Sequence, residues 1–91
     1  MTAKKLFHLK TTLSESALPL LRIVLVLRKF AVVIEKMELS ESAPQEWTAN
    51  FTLDLQHAPR TDTIFKKIAK FCDVTKVEYR GAAEEIFISL K

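Results

Sequence analysis

From residue 4 to residue 13 apolar and polar side chains alternate, with Phe7, Leu9 and Leu13 on one parity and His8, Lys10 and Thr12 on the other. A period of two over that length predicts a strand with one buried face. Ser14, Glu15 and Ser16 follow as a helix start signal. Ser16 is the better N-cap, because it leaves Pro19 in the first turn, where a missing N–H breaks no intrahelical bond. The helix runs to about Lys29. Leu20, Ile23, Val24 and Leu27 recur at the three- and four-residue spacing of a core-facing stripe, and Leu18, Leu21 and Leu25 form a second stripe beside it. A helix so broadly apolar needs more cover than one sheet face supplies, which predicts contact with another copy or another subunit.

Residues 30–39 are β-branched and then alternating, with Ile34, Lys36 and Glu38 against Glu35, Met37 and Leu39, and predict a second strand. Residues 40–46, with Pro44 among them, read as a polar hairpin loop. Residues 47–55 alternate again, placing Phe51, Leu53 and Leu55 inward and Thr52 and Asp54 outward. Pro59 breaks the pattern and Thr61 is a plausible N-cap. Ile64, Phe65, Ile68, Phe71 and Cys72 then define one helix face, with Lys66, Lys67 and Lys70 opposite. Asp73 ends that helix, residues 74–80 give a fourth strand, Gly81 turns the chain, and residues 85–90 form a short extra strand. The order β-α-β-β-α-β is the ferredoxin-like α+β pattern. Right-handed crossovers put both helices on one face of an antiparallel sheet. The whole chain, 1–91, is expected to be a single domain with its core at about 4–80 and a C-terminal extension over 81–91.

Composition narrows the picture. The chain has 91 residues and one glycine, so a glycine-rich phosphate cradle is excluded. One cysteine, Cys72, can form no internal disulfide and fits a reducing cytosol. The N-terminus lacks the apolar run of a signal peptide. Arg22, Arg28 and Lys29 cut the greasiest stretch into uncharged runs of five residues, far short of the ~20 that span a membrane. A net charge of +3 is spread along the chain rather than gathered on one face, against a nucleic-acid partner.

From residue 20 the chain reads LLRIVLVLRKFAVVIEKMEL, and from residue 70 KFCDVTKV. Leu20, Arg22, Ile23, Leu27, Lys29, Val32, Ile34, Glu35, Met37 and Leu39 follow without a gap a pattern that resembles the ACT domains of acetolactate synthase small subunits. The second segment resembles the closing motif of the same family's second helix, and the likeness covers roughly residues 7–79. The resemblance implies a non-catalytic, cytoplasmic regulatory subunit of branched-chain amino-acid biosynthesis, homodimeric and docked on a large catalytic subunit that it activates. Thiamine diphosphate, Mg2+ and FAD would then belong to that large subunit, with none in this chain. The effector loop of the family falls on Ser14, Glu15, Ser16, Ala17 and Leu18. Where typical members carry an asparagine and a proline-glycine pair, this chain has Glu15, Ala17 and Leu18, and Ala31 replaces a turn glycine. Leu18 and the charge of Glu15 predict weak or absent valine binding. The runner-up is a stand-alone ACT-like homodimer that senses a small molecule such as an amino acid.

No catalytic constellation emerges. His8 and His57 lie in different elements without metal-ligand spacing. Cys72 sits near a helix C-terminus, where the dipole disfavours a thiolate. Ser14 and Ser16 have no identifiable base and act as caps, and Glu84 and Glu85 are a solvated pair. A third class, an RNA-binding module of this fold, needs aromatics on the two central strands; Trp47 and Phe51 lie on one and Phe7 alone on the other. A copper chaperone would need paired cysteines. Leu18, Leu21 and Leu25 are the expected dimer or partner interface.

Overall fold

A computed structural model describes residues 5–14, 18–58, 60–71, 74–81 and 86–90, with the backbone alone at Leu18. The elements in chain order are β1 (Leu6–Ser14), α1 (Leu18–Lys29), β2 (Val33–Ala43), β3 (Glu46–Asp54), α2 (Thr61–Ala69), β4 (Val74–Gly81) and β5 (Ile88–Ser89). They form a five-stranded sheet in the order β2-β3-β1-β4-β5, antiparallel at every pairing. The steps from β1 to β2 and from β3 to β4 each pass through a helix and skip one strand. This is the ferredoxin-like βαββαβ arrangement with a short fifth strand added.

The register decides which side chains share a face. Leu9 pairs with Phe51 on one side and Tyr79 on the other, and Thr11 pairs with Ala49 and Val77 in the same way. These residues are buried and meet Ile23, Val26 and Leu27 of α1 and Ile64, Phe65 and Ile68 of α2. Alternation in β1 and β3 thus supplies one apolar sheet face, and helical periodicity supplies the stripes that cover it. Phe65 lies 4.4 Å from Tyr79 and 6.2 Å from Phe7, ring centre to ring centre, making an aromatic cluster between α2 and the sheet. Thr11, the polar residue in this face, donates its hydroxyl hydrogen to the Ala49 carbonyl at 3.4 Å.

Several local expectations change. The pairing of β2 slips between Ile34 and Lys36, so Ile34 faces the same way as Met37 and Leu39 rather than with Lys36. Strict alternation cannot foresee such a bulge, because one extra residue reverses the parity beyond it. The stretch over residues 40–46 is mostly strand: β2 and β3 continue to Ala43 and Glu46, leaving Pro44 and Gln45 as the turn, with Gln45 at φ 62°. Thr61 is not the cap of α2. Arg60 takes that place in extended backbone, φ −146° and ψ 112°, without a side-chain bond.

The second helix also ends earlier than its apolar spacing predicts. Phe71 lies beyond it, half-buried, its N–H bonded to the Ile68 carbonyl at 3.1 Å. Gly81 does not turn the chain; it prolongs β4 and pairs with Phe7. The extra strand exists as Ile88–Ser89, and the Leu90 N–H reaches the Val77 carbonyl at 2.9 Å. Ser16, Pro59, Cys72, Asp73, Glu84 and Glu85 lie outside the described residues. Among the described residues, no helix is long and apolar enough to cross a membrane.

Candidate functional site

The flank formed by α1 and β2 leaves apolar side chains uncovered, as does the stretch of Ile86, Phe87 and Ile88 near the C-terminal end. Leu21 and Leu25 are each two residues from Ile23, which sets them about 200° around the helix from that buried position. They are 62% and 67% exposed, whereas Ile23 and Leu27 are fully buried. The leucines are exposed because one sheet face can cover only one stripe of a helix. β2 adds to this flank. Among the described residues it lies at the edge of the sheet and pairs with β3 alone. Its Met37 and Leu39 share the helix-side face with Phe51 and Ala49, yet both remain exposed. Between helix and strand, Val24, Arg28, Val33, Ile34 and His57 line a cleft of about 730 Å³. Exposed apolar side chains thus lie on both α1 and β2, on either side of this cleft.

The opposite face of the sheet is polar. β1 presents His8, Lys10 and Thr12 there, and β3 presents Thr48, Asn50 and Thr52, paired row by row. Trp47 and Phe51 share the parity of Leu13 and Leu9 and belong to the helix side. The open face of the two central strands carries His8 but no Phe, Tyr or Trp on which a base could stack. A cavity of about 210 Å³ lies on this face over His8, Lys10, Asn50, Thr52 and Arg80, with Phe87 at one wall.

Of the residues expected to form an effector loop, Ser14 ends β1 opposite Glu46. Glu15, Ser16 and Ala17 lie outside the described residues, and only the backbone of Leu18 is described, at the start of α1. Leu21 and Leu25 do fall together on one exposed surface. The structure does not bring the histidines together: His8 is on the open face of β1, and His57 lies in the turn after β3. Among the described residues, no group of three or more His, Cys, Asp or Glu side chains is placed to hold a metal ion.

Sequence reading missed two features. Asp54, placed on the outward parity, is nevertheless buried, its Oδ1 accepting the Lys5 N–H at 3.1 Å and the Gln56 N–H at 3.0 Å. Arg80 places its guanidinium 5.1 Å from the centre of the Phe87 ring. The acid two residues before Gln56 is a turn signal in the sequence. The Arg80–Phe87 pair has no such signal, because it depends on β5 pairing with β4.

No family model matches the chain, and neither does any curated protein. A solved structure does: the solution structure of the C-terminal domain of the MgtC protein from Mycobacterium tuberculosis, with TM-score 0.72 and 12% identity over 92% of this chain and 98% of that one. That domain belongs to a different family from the ACT-domain small subunits of acetolactate synthase, and it overturns the membership inferred from the sequence. The regulatory role in branched-chain amino-acid biosynthesis falls with it. The reason is visible in the residues that carried the likeness. Ile23, Leu27 and Val32 are buried, and Leu20 and Ile34 pack against the core, so they are what a helix and strand of this fold require of any sequence. At 12% identity the likeness carries the architecture alone, and what this chain shares with the MgtC C-terminal domain is its fold.

Proposed function

We propose that this chain is a non-catalytic association module that pairs with a second copy of itself along β2 and α1. The observation that supports this most directly is the uncovered apolar flank, with Leu21, Leu25, Met37 and Leu39 all exposed. Apolar side chains gathered in this way on a small domain mark an interface. The strand beside them is eleven residues long and pairs on one side only, and an edge of that kind is a template for a further strand. Its charges are self-complementary. An antiparallel two-fold centred at Met37 sets Lys36 against Glu38 of the second copy, and Glu38 against Lys36 of the second copy, while Met37 faces itself. The chain would work in the cytosol, where a single cysteine remains a thiol. Amide hydrogen exchange across a concentration series tests the reading. Alternate amides of Val33–Ala43 should gain protection as concentration rises. Exchange in β2 that is independent of concentration would refute the pairing.

A further inference from the structure

We propose that the open face of the sheet binds a small phosphate monoester in the cavity over His8, Lys10, Asn50, Thr52 and Arg80. The register builds this site. His8 pairs with Thr52 of β3 and with Arg80 of β4, and Lys10 pairs with Asn50 in the next outward-facing row. Neighbouring strands are ~4.8 Å apart and alternate residues of one strand ~6.7 Å apart. The five residues thus occupy a patch about 10 Å by 7 Å, within reach of one small ligand.

The charges around the cavity are arranged for an anion. Lys36 and Glu38 also line the cavity and pair with each other at 3.0 Å, and Glu78, beside Lys10 in the pairing, is held by Lys76 at 3.5 Å. Lys10 makes no ion pair among the described residues. Arg80 lines the cavity with its guanidinium beside the Phe87 ring. An ammonium, a guanidinium, an amide and a hydroxyl therefore rise from three adjacent strands beneath one cavity. Donors arriving from several directions suit a tetrahedral phosphate with three terminal oxygens better than a planar carboxylate with two. Side chains supply them, so the scarcity of glycine is no obstacle.

At about 210 Å³ the cavity is smaller than the ~300–1,000 Å³ of sites for drug-sized ligands. A phosphate on a short or single-ring skeleton fits, with the partly exposed Phe87 at the cavity wall beside its apolar part. The site lies on the other face of the sheet from the helices, with Lys36 and Glu38 of the β2 edge at its wall.

The test follows backbone amide shifts of the full chain during titration with phenyl phosphate, inorganic phosphate, malonate and a single-stranded oligonucleotide. Phenyl phosphate should move the amides of His8, Lys10, Asn50, Thr52 and Arg80 in a saturable way. Lys10→Met should weaken it about tenfold or more, while Lys66→Met, on the helix side, should not change it. Lys10→Gln, which keeps a polar tip, serves if the first variant loses its dispersed spectrum. The proposal is overturned by absent or unsaturable shifts at these residues, or by equal losses in the Lys10 and Lys66 variants. It is also overturned by tighter binding of malonate than of either phosphate, or by preference for the oligonucleotide.

Discussion

Replacing Leu21 and Leu25 together by glutamate should dissolve the proposed dimer without unfolding the monomer. Fully burying a leucine contributes about 1.5–3 kcal/mol. About two-thirds of each side chain is still exposed in the single chain, so covering the remainder contributes about 1–2 kcal/mol per leucine. A two-fold interface uses each residue twice, and the four leucines together contribute roughly 4–8 kcal/mol at most. A micromolar dimer has about 8 kcal/mol in total. Even the lower figure weakens association by about three orders of magnitude, moving a micromolar dissociation constant into the millimolar range. Neither leucine belongs to the buried core, and surface changes of this kind alter folding stability by about 0.5 kcal/mol or less. Sedimentation velocity from low to high micromolar concentration, with Lys66→Glu on α2 as a charge control, separates the cases. The wild type and the control should shift from monomer to dimer, and the double variant should stay monomeric with an unchanged thermal melt. A wild type that is monomeric throughout, or a double variant that dimerises as readily, would refute the reasoning.

Three further outcomes follow from the packing. Phe65→Ala removes the ring that meets Tyr79 at 4.4 Å in a fully buried site; it should cost about 3–5 kcal/mol and lower the melting temperature by roughly 12 °C or more, and a loss under about 1 kcal/mol would deny that this cluster anchors α2. Asp54→Ala strips the acceptor from the N–H groups of Lys5 and Gln56 and should cost about 1.5–3 kcal/mol in a urea melt, with Asp54→Asn costing less because it keeps an acceptor oxygen. Gln45→Gly should stabilise the β2–β3 hairpin by about 0.5 kcal/mol, since φ 62° strains a residue with a Cβ more than it burdens glycine with chain entropy; a destabilised variant would show that the Gln45 side chain contributes to the hairpin.

Local periodicity was enough to determine the element order. Alternation over residues 4–13 and 47–55 and the spacing of Ile23, Leu27, Ile64, Phe65 and Ile68 each specify a buried face, because a strand repeats every two residues and a helix every 3.6. The exposed leucines of α1 were legible for the same reason, as a second stripe that one sheet cannot cover. Other features depended on contacts between distant segments. The slip in β2 after Ile34 and the pairing of Gly81 with Phe7 arise where one strand meets another, and nothing in a local window encodes the partner. The row of Thr52, His8 and Arg80 joins residues far apart in the sequence through two antiparallel registers. The family likeness erred for the complementary reason. Half of its matched residues, Leu20, Ile23, Leu27, Val32 and Ile34, are apolar positions that secure the fold, and burial constrains those positions in the same way in unrelated sequences, whereas the side chains that set a binding surface are placed only when the sheet closes.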